Sequence, residues 1–453
     1  MSISNNGRWH LFSRHGLNIL VDGPTGAVHL LDEAAMEVFP HFTDGAVRSE
    51  VVAEANHPRA GDAWDQLAAL RESGMLMGPE PVFPQRPGAG LKALCLHVSH
   101  DCDLRCRYCF AGTGSFGGKR ELMSEDVARQ AVDMLLSQSS RVCELDFFGG
   151  EPLLNLEVVE NTAAYARNKA RDMGKHINLT LTTNAVSLTG EVRERLLALD
   201  LDLVLSHDGR PEVHDAMRPT CSGGDSYRQI TDNILSVVKD VHPRYYVRGT
   251  YTALNSDFSR EIEHWLSLGI KRFSLEPVVA PEESRLALTS AHLPQLAEEY
   301  WRVADIVLEQ GSEVTFFHFL LDWEQGPCGA KRAAGCGAGM EYLAVAPDGT
   351  LFPCHQFVGE PQWALGSVQA GVQKTSLQQL FVGTTIADKA DCRECWARYY
   401  CGGGCHANAW WANGDLCEPW ETGCQLQRIR TEAALYVKVR QQIEYLSEGD
   451  SNG

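Results

Sequence analysis

No apolar run in the 453-residue chain reaches the ~18 residues that a membrane-spanning helix needs, so nothing in it is expected to cross a bilayer. Basic charge is also scarce: 40 Lys and Arg stand against 59 Asp and Glu, a formal charge of −19 at pH 7. Nucleic acid and anionic membranes both select a basic face, so neither is an expected partner. The opening MSISNNGRWHLF lacks the basic-then-apolar layout of a secretory signal, and the chain reads as cytosolic. Core-forming residues are not short. Apolar residues make up 44% and charged residues 22%, which excludes disorder as the main state. At about 150 residues per domain, the length suggests roughly three domains.

Cysteine is what the sequence has in excess. There are 15, an odd number, and nine fall between Cys328 and Cys424 inclusive. A secreted disulfide framework would be short, even-numbered and preceded by a signal peptide. In a reducing compartment, clustered cysteines more often bind metal or do chemistry. Composition points to a metalloprotein.

The first 78 residues read as a small β-then-α module. Three short β-like runs (Trp9–Phe12, Asn18–Val21, Ala27–Leu31) precede helical patterns at Glu33–Phe42, Arg48–Glu54 and Ala63–Glu72. The segment Gly78–Gly90 holds four prolines and three glycines, so residues 79–90 read as a linker. Residues 91–311 alternate strand and helix. The strand-like runs are Ala93–Val98, Glu144–Phe148, Asn178–Thr183, Leu201–Ser206, Tyr245–Thr252 and Phe273–Val279. Six such repeats imply an α/β parallel sheet, open or a partial barrel, with ligands at the C-terminal strand ends. Residues 312–453 are dense in Cys, Gly and Trp, with little periodic pattern before a final helix near Gln425–Tyr445. Metal binding can replace a missing core there, because metal binding energy is folding energy.

Directly after the first of these strands stands Cys102-Asp-Leu-Arg-Cys106-Arg-Tyr-Cys109. Three thiolates on one loop can hold three irons of a [4Fe–4S] cube and leave the fourth iron open to a substrate. A partial zinc site or three buried thiols are the alternatives. The second strand ends Phe147-Phe148-Gly149-Gly150-Glu151-Pro152, where two glycines permit close backbone approach to a ligand and the carboxylate can accept from an ammonium group. A tight turn with a solvated Glu is the plainer reading of that segment in isolation.

Together these motifs resemble the radical S-adenosylmethionine (SAM) superfamily. The resemblance implies a partial (β/α)6 barrel in which Cys102, Cys106 and Cys109 hold a [4Fe–4S] cluster and SAM chelates the open iron. It implies that Gly149, Gly150 and Glu151 contact the SAM amine and that Tyr108 lies near adenine. Ser206, Asp208 and Arg248 match positions that reach the ribose and carboxylate, with Thr183 and Asn184 weaker candidates.

Further on, the spacing is Cys336-x12-Gly349-x4-Cys354, then Cys392-x2-Cys395-x5-Cys401-x3-Cys405-x18-Cys424. This resembles the SPASM domain, which carries two auxiliary iron–sulfur clusters. Cys392, Cys395, Cys401 and Cys424 would hold one. Cys336, Cys354 and Cys405 would hold the other, with Cys328 a candidate fourth ligand, giving three [4Fe–4S] clusters in all. Two zinc-ribbon sites are the competing reading of the same Cys-x2-Cys pairs. Cys95, Cys143, Cys221 and Cys417 remain as buried hydrophobes or unused thiols.

Longer runs, including Phe352-Pro-Cys354-His-Gln-Phe-Val-Gly359 and Cys392-Arg-Glu-Cys-Trp-Ala-Arg-Tyr-Tyr-Cys401, make the chain similar to the maturases of SCIFF peptides (six cysteines in forty-five residues). That resemblance implies a thioether bond between a cysteine sulfur and a backbone α-carbon of a cysteine-rich ribosomal precursor peptide. A 5′-deoxyadenosyl radical would start the reaction, and an electron donor such as flavodoxin or ferredoxin would supply the cluster. It also makes residues 1–78 a winged-helix-like leader-recognition module in which Ala27–Leu31 could accept the leader as an added strand. A module that only packs on the barrel is the alternative. An anaerobic sulfatase maturase is the near rival, although His355 follows Cys354 where that group tends to carry an acidic base. A non-catalytic iron–sulfur electron carrier is the rival outside enzymes.

Overall fold

A computed structural model describes residues 2–5, 7–79, 90–241, 244–321, 333 and 335–450. The chain opens with a four-stranded antiparallel sheet in the order β1 (Ser2–Asn5), β2 (Trp9–Arg14), β3 (Leu17–Asp22), β4 (Val28–Leu31). β2 and β3 close through His15-Gly16, both at positive φ (46° and 78°), as a two-residue hairpin with right-handed twist requires. Asp22, buried at the next turn, accepts from the backbone N–H of Thr25 and of Met77. Three strands read from the sequence are β2, β3 and β4. β1 was not expected, because Ser-Ile-Ser-Asn carries no run of β-formers.

The two faces of this sheet have different neighbours. Trp9, Leu11 and Leu20 pack with Val38, Phe39, Phe42, Trp64 and Leu67 of the helices Glu33–Thr43 and Ala60–Glu72. Asp32 caps the first of these helices by accepting from Ala35 N–H at 2.9 Å. Phe12, Ile19 and Val21 instead join the central core of the molecule. The module is therefore fused to the body by shared apolar packing.

Six parallel strands follow in sequential spatial order: β5 (Ala93–Ser99), β6 (Val142–Gly149), β7 (His176–Thr183), β8 (Asp202–Ser206), β9 (Tyr245–Tyr251) and β10 (Arg272–Pro277). Each matches an expected run, with helices such as Glu125–Leu136 and Leu156–Asp172 between them. One face of each strand is apolar (Leu94, Leu96, Leu145, Phe147, Leu181, Leu205, Val247, Leu275) and lies in the core under the helices. The alternate residues, among them His97, Asp146, Phe148, Ser206, Tyr246, Arg248 and Glu276, face the barrel interior.

β5 and β10 do not pair, so the barrel stays open. Its sheet also continues past residue 311. β11 (Thr315–Phe316) adds to β10, and β12 (Tyr342–Val345) adds parallel to β5. β13 (Thr350–Phe352), β14 (Gly366–Ser367) and β15 (Gly371–Val372) extend that side antiparallel. The weakly patterned stretch is thus an extension of the barrel sheet, built of strands too short to show a period. The chain ends in the long helix Glu421–Asp450, whose Ala433–Val437 segment is buried in the central core.

Candidate active site

The loop after β5 is stitched to a distant segment. Arg105 N–H donates to Pro219 O at 2.8 Å, Arg107 N–H to Met217 O at 2.9 Å and Cys221 N–H to Asp103 O at 3.0 Å. The other edge of the loop is fixed by the turn after β6: Gly150 N–H donates to Ser99 O and Glu151 N–H to Asp101 O, both at 2.8 Å. A Cβ at Gly149 would lie 2.2 Å from Ser99 O, and one at Gly150 would lie 2.2 Å from Asp101 O. Gly149 also has φ of 131°. The sequence reading gave these glycines to close approach by a ligand. Their bare Cα atoms also let the turn lie against the cysteine loop.

Glu151 is fully buried and already busy. One oxygen accepts from Leu153 N–H at 3.0 Å and Thr183 Oγ1 at 2.7 Å, and the other accepts from Asn184 N–H at 2.8 Å. Asn184 Nδ2 donates to Asp103 Oδ1 at 2.6 Å and lies 3.6 Å from Cys102 Sγ. Thr183 and Asn184 therefore orient the carboxylate and tie it to the cysteine loop. Burial, with the charge of Asp103 adding to it, pushes the Glu151 carboxyl up to about 7. Burial likewise pushes Cys102 up to about 12 and Cys106 up to about 11.

Tyr108 hydroxyl donates to Asp208 Oδ2 at 2.6 Å and accepts from Arg218 Nη1 at 2.7 Å. Asp208, fully buried, also accepts from Thr250 N–H at 3.1 Å. Ser206 and Arg248 are register partners on β8 and β9, and Arg248 pairs with Glu276 at 3.8 Å. Those two thus stand on the interior face, while Gly149, Gly150, Glu151, Thr183 and Asn184 lie against the cysteine loop and Asp208 reaches it through the loop's own Tyr108.

Residues 96–239 match the family model described as the Radical SAM superfamily. The chain carries a radical SAM domain. Relatives include the radical SAM cyclopropyl synthase TigE of Paramaledivibacter caminithermalis, 25% identical over 290 residues, 59% of this chain and 58% of that one. The chain therefore spans less than two thirds of that relative. The cysteine-type anaerobic sulfatase-maturating enzyme of Clostridium perfringens is 24% identical over 343 residues, 70% of this chain and 88% of that one. The fold is that of the structure of anSMEcpe with bound AdoMet, at TM-score 0.66 and 20% identity, covering 78% of this chain and 95% of that one.

A radical SAM domain implies a [4Fe–4S] cluster, and the donor chemistry here suits one. Three thiols on one loop, two of them with pKa values raised by burial, share their surroundings with Asp103 and Glu151. Around Cys102 the two carboxylates give an excess of negative charge, which iron and the ammonium of a bound amino acid would balance.

Beyond the radical SAM domain, Cys392, Cys395, Cys401 and Cys424 line one cavity together with Arg398 and Arg428. Burial pushes Cys392 up to about 11 and Cys424 up to about 12, and the thiols add to one another's shifts. Cys354 and Cys405 are raised by burial, with Cys336 close enough to add to both. Among the described residues no three His, Cys, Asp or Glu side chains close on a single ion-sized point. The four thiols surround a volume instead. Cys328 lies outside the described residues. Cys95 and Cys143 are buried, and Cys221 and Cys417 are exposed.

Several residues here escaped sequence reasoning. Arg218 and Asp103 belong to no recognisable spacing. His355, known only as the neighbour of Cys354, accepts or donates at 3.1 Å with Tyr342 hydroxyl and packs its ring beside Phe148 and Phe110. Burial, helped by Arg248, lowers it to about 4 and keeps it neutral. The Cys395–Cys401 loop also touches the N-terminal sheet: His10 stacks on Trp396 at 4.0 Å between ring centres, and Arg398 donates to Gly7 O at 3.1 Å.

Among the described residues no helix is long and apolar enough to cross a membrane.

Proposed function

We propose that the protein is a radical SAM maturase that joins a cysteine sulfur to a backbone α-carbon within a cysteine-rich, ribosomally made precursor peptide. The observation that carries this reading is the strapping of the Cys102–Cys109 loop to the Gly149-Gly150-Glu151 turn at the C-terminal strand ends. In this reading Cys102, Cys106 and Cys109 hold the SAM-binding cluster. Glu151, oriented by Thr183 and Asn184, has one of its roughly four lone-pair positions left for the SAM amine. Tyr108, Ser206, Asp208 and Arg248 border the remainder of SAM. Cys392, Cys395, Cys401 and Cys424 hold one auxiliary cluster. Cys336, Cys354 and Cys405 hold a second, with Cys328 as the candidate fourth ligand.

Held by Cys102, Cys106 and Cys109, a cluster with bound SAM would supply one-electron radical chemistry for removing a hydrogen atom from the peptide. The chain's own contribution is placement. The interior face offers Phe148, Tyr246, Arg248 and Glu276 to a peptide entering the barrel. The N-terminal sheet offers an open edge at β4, beside a groove formed with Leu67 and Leu70 and with Val439, Ile443 and Leu446 of the C-terminal helix. A leader lying there as an added strand would hold the peptide core near the mouth. An electron donor of the flavodoxin or ferredoxin type completes the system.

A second reading, oxidation of a cysteine to formylglycine, is favoured by the alignment with 88% of the Clostridium perfringens sulfatase-maturating enzyme. One experiment separates the two. Reconstituted protein, SAM and dithionite are incubated with a synthetic cysteine-rich precursor peptide and, separately, with a cysteine-containing sulfatase peptide, and each product is weighed by mass spectrometry. A thioether costs two hydrogens and one free thiol per bond and keeps every sulfur, whereas formylglycine loses the sulfur.

A further inference from the structure

Arg218 is a cation where the sequence reading placed none. It is 7% exposed and lies just past the helix Pro211–Met217, in the segment that hydrogen-bonds along the cysteine loop. Its Nη1 donates to Tyr108 hydroxyl at 2.7 Å and lies 3.8 Å from Asp208 Oδ1. Its Nε is buried without an acceptor. A buried guanidinium with one unspent donor is costly unless something nearby needs its charge. Asp208 is already served by Tyr108 and Thr250 N–H, so it does not account for that charge alone.

The other neighbour is the loop itself. Tyr108, which Arg218 holds, stands between Cys106 and Cys109, and the residue before Arg218 accepts from Arg107 N–H, so the guanidinium is fixed against the Cys106–Cys109 segment. A fixed positive charge in a dry site acts strongly on an electron-rich group, because little water screens it. Iron–sulfur potentials respond to nearby charge and hydrogen bonding in this way.

We propose that Arg218 is a positioning and charge-tuning residue of the three-cysteine loop: it fixes Tyr108 and lays a permanent positive charge against the Cys106–Cys109 segment, which raises the midpoint potential of the cluster the loop would hold. The inference rests on the radical SAM assignment of that loop. Its test is an EPR-monitored redox titration of the reconstituted holoenzyme, following the signal that changes when SAM is added. Arg218→Met should shift that midpoint to lower potential. Arg218→Lys, which keeps the charge, should stay near wild type. Tyr108→Phe, which removes the hydrogen bond but keeps the charge, should shift the midpoint by less than Arg218→Met does. Loss of the signal in Arg218→Met but not in Arg218→Lys supports the same conclusion, since charge is the difference between them. An unchanged midpoint in Arg218→Met, or loss of the cluster in both Arg218 variants, overturns it in favour of a purely structural ion pair. A wild-type holoenzyme with no SAM-responsive signal overturns the underlying assignment of the loop instead, and the inference with it.

Discussion

Gly150 has no room for a side chain because the carbonyl oxygen of Asp101 stands 2.2 Å from where its Cβ would be. The contact joins the turn after β6 to the cysteine loop after β5 through backbone atoms, which cannot swing aside. Gly150→Ala should therefore displace the loop or the turn. Overpacking of this kind costs about 1–3 kcal/mol. Denaturant unfolding of the apoprotein should register the loss, and iron uptake on reconstitution should fall with it. An alanine variant as stable and as iron-competent as wild type would show that the turn and loop are not strapped together.

Glu151 supplies a pH signature. Its carboxyl is raised to about 7 in the folded chain against an ordinary 4.5, through burial first and Asp103 second. The stability linked to this group is full below 4.5 and is lost as pH rises through about 7. Binding of an ammonium runs the other way, because it needs the ionised carboxylate. SAM affinity should weaken as pH falls from 8 to 6. Glu151→Gln should flatten that dependence and bind SAM roughly fivefold more weakly at pH 8, the worth of about 1 kcal/mol between a charged and a neutral hydrogen bond. Equilibrium dialysis at the two pH values checks both statements. A Gln variant with wild-type affinity and a wild-type pH profile removes Glu151 from the SAM site.

The cysteine cavity makes a stoichiometric prediction. Three [4Fe–4S] clusters give about twelve irons per chain. Cys424 stands in the first turn of the C-terminal helix, and its thiol is raised by burial first, with Cys401 and Cys392 adding to it. Serine or alanine at Cys424 should remove up to about four irons while leaving SAM cleavage by the Cys102 loop in place. The triple alanine variant of Cys102, Cys106 and Cys109 should do the reverse, losing 5′-deoxyadenosine formation and keeping the auxiliary irons. Iron assay and product analysis on the two proteins decide it. Equal iron loss and equal loss of cleavage in both would merge the proposed sites into one.

The parts of this molecule that sequence reveals are the ones with a period or a motif. The strands β5 to β10 were readable because turn residues and helical patterns bound each apolar run, and Cys102-x3-Cys106-x2-Cys109 was readable because its spacing has few other uses. β12 was not, since Tyr342–Val345 is four residues long and its pairing with Ala93–Leu96 spans about half the chain. The packing of Gly149 and Gly150 against Ser99 and Asp101 was not legible, because a glycine announces close approach without naming what approaches. Arg218 was invisible: one arginine after a helix is ordinary, and only the fold brings it to Tyr108, 110 positions away in sequence.

The last prediction concerns the open edge of the N-terminal sheet. Removing residues 1–78 is a poor test of leader binding, since Phe12, Ile19 and Val21 belong to the central core and His10 lies on Trp396, between Cys395 and Cys401 in sequence. A single residue in β4 is cleaner. Asp22 N–H donates to Ala27 O, and antiparallel pairs alternate, so Leu20 and His29 form the next bonded pair. Ile19 and Leu30 then form a non-bonded pair, and the N–H of Leu30 turns away from β3 toward the open edge. Leu30 is also half-exposed, so its replacement opens no core cavity. Proline is tolerated on an edge strand when its missing donor faces outward. Leu30→Pro should therefore fold, keep its iron and cleave SAM like wild type. It should bind the full-length precursor several-fold more weakly, the cost of about one backbone hydrogen bond, and crosslink it more slowly at limiting peptide. A leaderless core peptide should be processed equally by both proteins. If Leu30→Pro binds and crosslinks the full precursor as well as wild type does, the leader does not add to β4 and the module serves as scaffold.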